Sequence, residues 1–288
     1  MSDSNRVSAS LVQWVALLFG LAACIFGGLR VPHVVFRTDG ALYDFVQEWT
    51  SARNWMIEKP VYLDLQESIP LHIPGAKAGE LKYNAHPPAS ILLALPLADV
   101  TYQRAFRLWS TFQLACLALA LYLITSQKGL KFGWAEKFAL TGFLLTGNAF
   151  GVQLIQGQFN LLLLLLLAAA WRFERTEKSS LSGVMIGLAG AIKFFPLAML
   201  IFYLAKRRWS AIVAGVLVFA GVNAIALAVF GPEAFTDYVT KVSPAVSRFR
   251  DTWPNASLLG FWARLFDGGS GRVDPVFSSP AVSYSLTG

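Results

Sequence analysis

Long apolar runs alternate with short polar segments along the chain, and this pattern predicts an all-α polytopic membrane protein. A helix needs about 20 apolar residues to cross a bilayer, while a run of about 12 is too short. We predict a bundle of about seven membrane helices, some of them short or broken. They are 11–29, 105–125, 138–155, 161–171, 181–192, 195–205 and 210–230.

A long polar segment, residues 31–104, separates the first apolar run from the second and predicts a large external loop. Within it, residues 44–59 place apolar side chains close to the spacing of one helix face. Residues 86–98 contain a double proline, Pro87-Pro88, which favours a helix start. Both segments are too short to cross a bilayer. We therefore predict two interfacial helices that lie on the membrane surface.

Clusters of lysine and arginine between the apolar runs set the predicted orientation, because short cytoplasmic loops are enriched in these residues. The clusters are Lys128/Lys131/Lys137, Arg172/Arg175/Lys178 and Lys206/Arg207/Arg208. With these clusters inside, residues 31–104 and 231–288 are external parts of a single membrane domain, 1–288. Since the chain stops at Gly288 within an external segment rich in Ser, Pro and Gly, we expect a C-terminally truncated product.

Composition excludes two broad classes of protein. Hydrophobic residues make up 55% of the chain and charged residues 14%, against about 25% charged residues in soluble domains. The net charge is +7, but the basic residues do not form one soluble face, which excludes a nucleic-acid partner. Cys24 and Cys116 lie inside apolar runs, so neither a disulfide nor a metal site is predicted. The expected location is the inner or plasma membrane of the cell, with membrane lipids as partners.

Lys193 is a cation in apolar sequence, between a small-residue run and Phe194-Phe195-Pro196. A lysine at the centre of a membrane costs a few kcal/mol. Irregular backbone at that depth is tolerated where it is buried in protein or lines a cavity. These features indicate a cation that faces a wet pocket and suits an anion such as a lipid phosphate. The alternative is a lysine that extends from a helix end to the membrane interface.

The segment Gly157-Gln158-Phe159-Asn160 is a polar break between two apolar runs. The amides of Gln158 and Asn160 can hydrogen-bond sugar hydroxyls. Asn160 can instead cap the following helix, and from these residues alone the cap is the favoured interpretation. Arg107 lies at the external start of the second crossing helix, where it either meets an anion or extends to the interface. His86, directly before the double proline, can bind phosphate, carry a proton or be structural.

Asp44 begins the first predicted interfacial helix. A carboxylate there complements the positive end of the helix dipole, or it serves as a general base, and the residues alone leave both open. Trp49 and Trp55 on the same helix are interpreted as membrane anchors. Asp39, Asp44, Glu48, Glu58 and Asp64 are acidic residues of this loop.

Several motifs follow one another in a recognisable order. They are DFVQEW…PVY, YNAHPPASILLALPLA, GQFN, GLAGAIKFFPLAMLIFYLAKRRW and NASLLGFWAR. Their order over residues 40–265 resembles glycosyltransferase family 87, a family of polyprenyl-phosphate-mannose-dependent mannosyltransferase-like proteins with the membrane-embedded GT-C fold.

The resemblance implies a GT-C-like bundle and transfer of a hexose, with mannose the expected sugar, from a polyprenyl-phosphate donor. The acceptor would be a lipid or glycan on the extracytoplasmic face, and the anomeric carbon would be inverted. Asp44 matches the acidic residue of the family's first external loop and would be the general base, with Asp39 as the fallback. The resemblance implies no metal, and the sequence offers no clear cluster of metal ligands. No other cofactor is expected, and the lipid-linked sugar is a co-substrate.

Further roles follow from the same resemblance. Donor-phosphate contacts are expected from Lys193, Arg107 and His86, and sugar or acceptor contacts from Gln158, Asn160 and Asn255. Two other classes of protein stay open. A transporter or flippase would use broken helices and Lys193 along a substrate pathway, although the two halves of the chain show no repeat. A non-catalytic membrane subunit is the other alternative.

Overall fold

The computed structural model describes residues 3–36, 42, 44–77, 79, 81–127, 129, 132–247, 258–267, 275–279, 281–282 and 285. These residues form α-helices and contain no β-strand. The first helices are α1 (Asp3–Val35), α2 (Phe45–Met56), α3 (Leu65–His72), α4 (Pro88–Ile91), α5 (Tyr102–Thr125) and α6 (Trp134–Thr146). They are followed by α7 (Asn148–Gln156), α8 (Asn160–Arg175), α9 (Ser179–Ile192), α10 (Met199–Ala205), α11 (Trp209–Asp237), α12 (Ser243–Ser247) and α13 (Leu258–Phe266). Shorter turns are the 3₁₀ turns Leu95–Leu97 and Phe195–Ala198 and the π turn Tyr238–Val242.

The chain is an all-α polytopic membrane protein, which confirms the predicted class. Among the described residues, three helical segments are long and apolar enough to cross a membrane: Leu11–Val35, α5 and Trp209–Val246. Helices α6 and α7 add a fourth crossing if they are taken as one bent span. The remaining predicted crossings fall on shorter helices, so the number of about seven stays a prediction.

Two predicted helices are interrupted where glycine or proline weakens the helix. The segment predicted as one helix over 138–155 bends by 57° between α6 and α7. Gly147 separates them in an extended conformation (φ −62°, ψ 139°), and glycine costs about 1 kcal/mol relative to alanine inside a helix. Residues 86–98 form α4 and the separate turn Leu95–Leu97, because Pro96 cannot donate a backbone hydrogen bond.

Helix α2 differs from an interfacial helix because protein covers it on nearly every side. Polar positions such as Gln47 and Ser51 are buried together with Phe45. Trp49 is 1% exposed and its Nε1 donates a hydrogen bond to the Leu97 carbonyl at 3.1 Å. Trp49 is therefore part of the protein core and is not a membrane anchor.

One hydrophobic core joins the external loop to the membrane helices. It contains side chains of α2 and α3 together with side chains of α5, α8 and α9. Phe45 of α2 stacks on Trp109 of α5 with ring centroids 5.2 Å apart. Leu65 and Ile69 of α3 are buried in the same cluster. This core fixes the start of α2 against the ends of the membrane helices.

Basic residues from separate helices meet at the opposite end of the bundle. Arg172 near the end of α8 donates hydrogen bonds to the Leu123 carbonyl and to Ser126 Oγ, at 3.2 and 2.8 Å. Arg208 pairs with Glu174 and Glu177 at 3.5 and 2.9 Å. An α-helix rises about 1.5 Å per residue, so the 16 residues of α8 place its first residue roughly 24 Å away. The predicted clusters around Arg172 and Arg208 and the predicted site thus lie at opposite ends.

Candidate active site

The turn between α7 and α8 is the centre of the candidate site. Gly157 ends α7 in the left-handed conformation (φ 67°), which a residue without a Cβ adopts readily. Its carbonyl accepts a hydrogen bond from Trp109 Nε1 at 2.6 Å. Gln153 Nε2 donates to the carbonyl of Gln158, and Phe159 is buried edge-on against Trp109 at 5.3 Å between ring centroids. The turn is therefore held rigidly on α5.

Replacement of Gly157 by alanine is expected to destabilise the protein by about 2–4 kcal/mol, because the left-handed conformation and the crowding each cost about 1–2 kcal/mol. A Cβ at Gly157 would lie 2.9 Å from the Phe45 Cβ and 3.1 Å from the Phe106 ring. Thermal unfolding of the purified protein in detergent measures the loss. The matched control is Gly221→Ala, where the added Cβ meets no atom within 4 Å. Equal melting temperatures for the two variants would contradict the prediction.

A continuous chain of hydrogen bonds connects an acid to a cation at this turn. Gln158 Nε2 donates to Asp44 Oδ2 at 2.6 Å, and Asn160 Nδ2 donates to Gln158 Oε1 at 3.0 Å. Lys193 Nζ donates to Asn160 Oδ1 at 3.3 Å. The structure thus brings together four residues that the sequence had proposed for the site. We call this arrangement the polar chain.

The structure places Asp44 at the start of α2, as the helix-dipole interpretation requires, and contradicts the capping role of Asn160. Asp44 occupies the N-cap position of α2, but its side chain makes no capping hydrogen bond. Its backbone N–H donates to Gln156 Oε1 at 3.4 Å. Phe159, and not Asn160, is the N-cap of α8. The interpretation of Asn160 as an N-cap is therefore wrong. The side chains of Asp44 and Asn160 instead form hydrogen bonds of the polar chain.

Lys193 lies at the end of α9, where the backbone becomes extended (φ −142°, ψ 138°). The turn Phe195–Ala198 follows, with Pro196 near its start. Lys193 is partly buried and bonds to Asn160, and the Glu48 and Asp44 carboxylates interact with its ammonium group electrostatically. The ammonium group therefore points towards the acidic side of the site.

Glu48 is a site residue that the sequence did not single out. It is 2% exposed, and His86 Nδ1 is in hydrogen-bond contact with its Oε1. Its spacing from Asp44 could have indicated it. Glu48 follows Asp44 by four residues, and residues i and i+4 share a helix face. His86 also contacts Phe159 edge-on, at 5.2 Å between ring centroids. His86 therefore lies next to the polar chain.

One other predicted residue, Arg107, does not join this group. The Arg107 guanidinium lies over the Phe36 ring, 5.8 Å from its centroid. Its described interactions include neither Asp44 nor Lys193. Asn255 and the fallback base Asp39 lie outside the described residues. Within the described part of the chain, no group of three or more His, Cys, Asp or Glu side chains could hold a metal ion, and metal-independent chemistry stays a prediction.

Comparison with known proteins adds a family and relatives of known activity. Residues 84–282 match glycosyltransferase family 87. An alpha-(1->3)-arabinofuranosyltransferase of Corynebacterium glutamicum is 29% identical over 78% of this chain and 51% of its own length. A polyprenol-phosphate-mannose-dependent alpha-(1-2)-phosphatidylinositol pentamannoside mannosyltransferase of Mycobacterium tuberculosis is 29% identical over 59% of this chain and 41% of its own length. The chain thus spans about half or less of these relatives. No solved structure matches.

Proposed function

The chain belongs to glycosyltransferase family 87, and from this membership we propose that it is a membrane glycosyltransferase. The proposed donor is a polyprenyl-phosphate hexose, with mannose the expected sugar, and the proposed acceptor is a lipid or glycan. The polar chain carries the proposal, because it joins a carboxylate to a cation through two amide side chains. The mycobacterial relative, whose name specifies a polyprenol-phosphate-mannose donor, supports the choice of donor.

Asp44 is the proposed general base for the acceptor hydroxyl. A base must lie within hydrogen-bond reach of the attacking oxygen, and it must be held in one orientation. Gln158 provides this orientation because its amide donates to Asp44 Oδ2. Oδ1 of the same carboxylate is the oxygen that we propose takes the proton.

Lys193 is the proposed cation for the departing phosphate. As the bond between the sugar and the phosphate breaks, negative charge accumulates on the phosphate, and a preorganised cation stabilises it. Inversion requires the acceptor and the leaving group to lie on opposite faces of the sugar ring. A sugar placed along Gln158 and Asn160 would have Asp44 on one side and Lys193 on the other. We propose that no metal takes part.

Transfer of labelled sugar tests this function most directly. Membranes that contain the protein should incorporate label from polyprenyl-phosphate-[¹⁴C]mannose into a lipid or glycan product, and membranes without it should not. A transporter or flippase would move the labelled lipid between leaflets without forming a new glycosidic product. Absence of any such product, with the protein present and folded in the membrane, would contradict the proposal.

We propose that the site faces the extracytoplasmic side, since the basic residues at the other end of the bundle are typical of cytoplasmic ends. A cysteine-free variant lacking Cys24 and Cys116 supplies the background for a labelling experiment. In intact cells, a membrane-impermeant maleimide should label Leu71→Cys in the external loop. Ser180→Cys, at the basic end, should react only after permeabilisation. The opposite pattern would show that the orientation is inverted.

A further inference from the structure

Glu48 and His86 form a buried pair beside the polar chain. The Glu48 side chain is 2% exposed and the His86 side chain 13% exposed. A carboxylate that is removed from water needs charged or hydrogen-bonding partners, because it loses its hydration. Glu48 has two such partners, since His86 touches it directly and Lys193 interacts with it electrostatically.

The position of His86 is fixed by groups other than Glu48. Its backbone N–H donates to Asn84 Oδ1 at 3.0 Å, and its carbonyl accepts from Tyr62 Oη at 2.6 Å. Its ring meets the Phe159 ring at right angles, and Phe159 belongs to the turn that carries the polar chain. The Nδ1 atom faces Glu48, and Nε2 makes no hydrogen bond to any residue that the structure describes. Among the described residues, the second ring nitrogen is thus not used for the fold.

We propose that Glu48 is a positioning residue that accepts the Nδ1 proton of His86 and so presents Nε2–H to the donor phosphate. An imidazole that donates from both nitrogens is a cation, and a contacting carboxylate stabilises that cation. Carboxylate–histidine pairs fix the ring in this way at other sites, where the second nitrogen meets the reacting group or a metal. This inference rests on the proposed glycosyltransferase function.

The arrangement explains why an acid is buried next to a phosphate site. A carboxylate facing a phosphate directly would repel it, but His86 lies in contact with Glu48 and can separate the two groups. Lys193 and His86 would then supply two donors to the phosphate, while Glu48 would keep the His86 ring in the orientation that this contact needs. In the proposed site, Asp44 acts on the acceptor hydroxyl, while Lys193 and the Glu48–His86 pair act on the phosphate.

A double-mutant cycle tests this role. Glu48→Gln keeps the size of the side chain but removes its charge, and His86→Leu removes both ring nitrogens. Glu48→Gln is expected to lower kcat/KM for polyprenyl-phosphate-mannose by about 10- to 100-fold in the parent. In the His86→Leu background it should change kcat/KM little, because no imidazole remains to be positioned. If the activation free energy of the double variant rises by as much as the two single variants together raise it, the proposal is overturned.

The matched control is Glu58→Gln, which removes an exposed carboxylate just past the end of the same helix. It should leave kcat/KM unchanged. Melting temperatures of all variants identify any that fail to fold. If Glu48→Gln does not fold, Glu48→Asp replaces it in the same cycle, since the shorter acid retains the charge but lies farther from the ring.

Nuclear magnetic resonance of ¹⁵N-labelled histidine gives a second readout that needs no activity. The chain has three histidines, so the His86→Leu variant identifies the His86 signals. The Nδ1-bound proton of His86 should resonate far downfield in the parent and move upfield in Glu48→Gln. If the parent shows this change of the His86 signal but has no transfer activity, only the proposed function is refuted. Transfer by the parent with His86 signals unchanged by Glu48→Gln would refute only the positioning role.

Discussion

Replacement of Asp44 by asparagine is expected to lower the rate of sugar transfer by about 100- to 10,000-fold, the range that general-base catalysis contributes. Asparagine has nearly the same shape as aspartate, and its Oδ1 can still accept the hydrogen bond from Gln158 Nε2 that the carboxylate accepts now. The substitution therefore removes the proton acceptor and leaves the polar chain in place. Transfer of labelled mannose from polyprenyl-phosphate-mannose, measured in membranes with equal amounts of protein, gives the ratio.

Two matched variants separate a lost base from a damaged fold. Asp64→Asn changes another acid of the same loop, one whose side chain caps α3 by accepting from the Gln66 backbone N–H at 2.9 Å. It should cost about 1 kcal/mol or less of stability and leave the transfer rate unchanged. Asp44→Glu retains a base in a displaced position and should keep more activity than Asp44→Asn. Full activity of folded Asp44→Asn would show that another group takes the proton.

Three residues of the polar chain could be predicted because each one interrupts or borders an apolar run, whereas Asp44 was selected through the family resemblance. Gln158 and Asn160 break one apolar stretch, and Lys193 breaks another. A polar group inside a membrane costs free energy unless it has a partner or a function. Such residues can therefore be identified from the apolar sequence around them. The bonds that tie Asp44 and Lys193 to this turn could not be predicted, because each joins residues more than 30 positions apart.

The sequence did not indicate Glu48 as a site residue, because its burial and its contact with His86 come entirely from tertiary packing. On a surface helix, a glutamate at this position is solvated and needs no partner. Helix α2 is instead enclosed by protein, and His86 closes over the carboxylate. His86 lies about 40 positions further along the chain. Helical periodicity relates only residues that are close in sequence, so it could not predict this contact. The division at Gly147 was missed for a related reason, since apolar sequence on both sides of it resembles one continuous helix.

Replacement of Lys193 by methionine is expected to lower the transfer rate by about 100- to 1,000-fold, as the loss of one preorganised donor to a developing charge does. Methionine keeps much of the apolar length of the side chain and removes the ammonium group. Asn160, which is exposed, can replace the lost bond with water. The matched control is Lys206→Met, an exposed lysine next to the basic end of the bundle, which should retain full activity. Lys193→Arg preserves the charge and should keep more activity than Lys193→Met.

Binding of the two phosphate lipids to Lys193→Met separates a phosphate contact from a structural role. The donor is a phosphodiester with a single negative charge, whereas the released polyprenyl phosphate is a monoester with a charge of about −1.5 to −2 at neutral pH. A cation placed at the phosphate therefore stabilises the released form more than the donor. Lys193→Met should weaken binding of polyprenyl phosphate by a larger factor than binding of polyprenyl-phosphate-mannose, when both are measured by titration in nanodiscs. Equal and small losses for the two lipids would place the lysine away from the phosphate. In that case its bond to Asn160 would serve only to hold the turn.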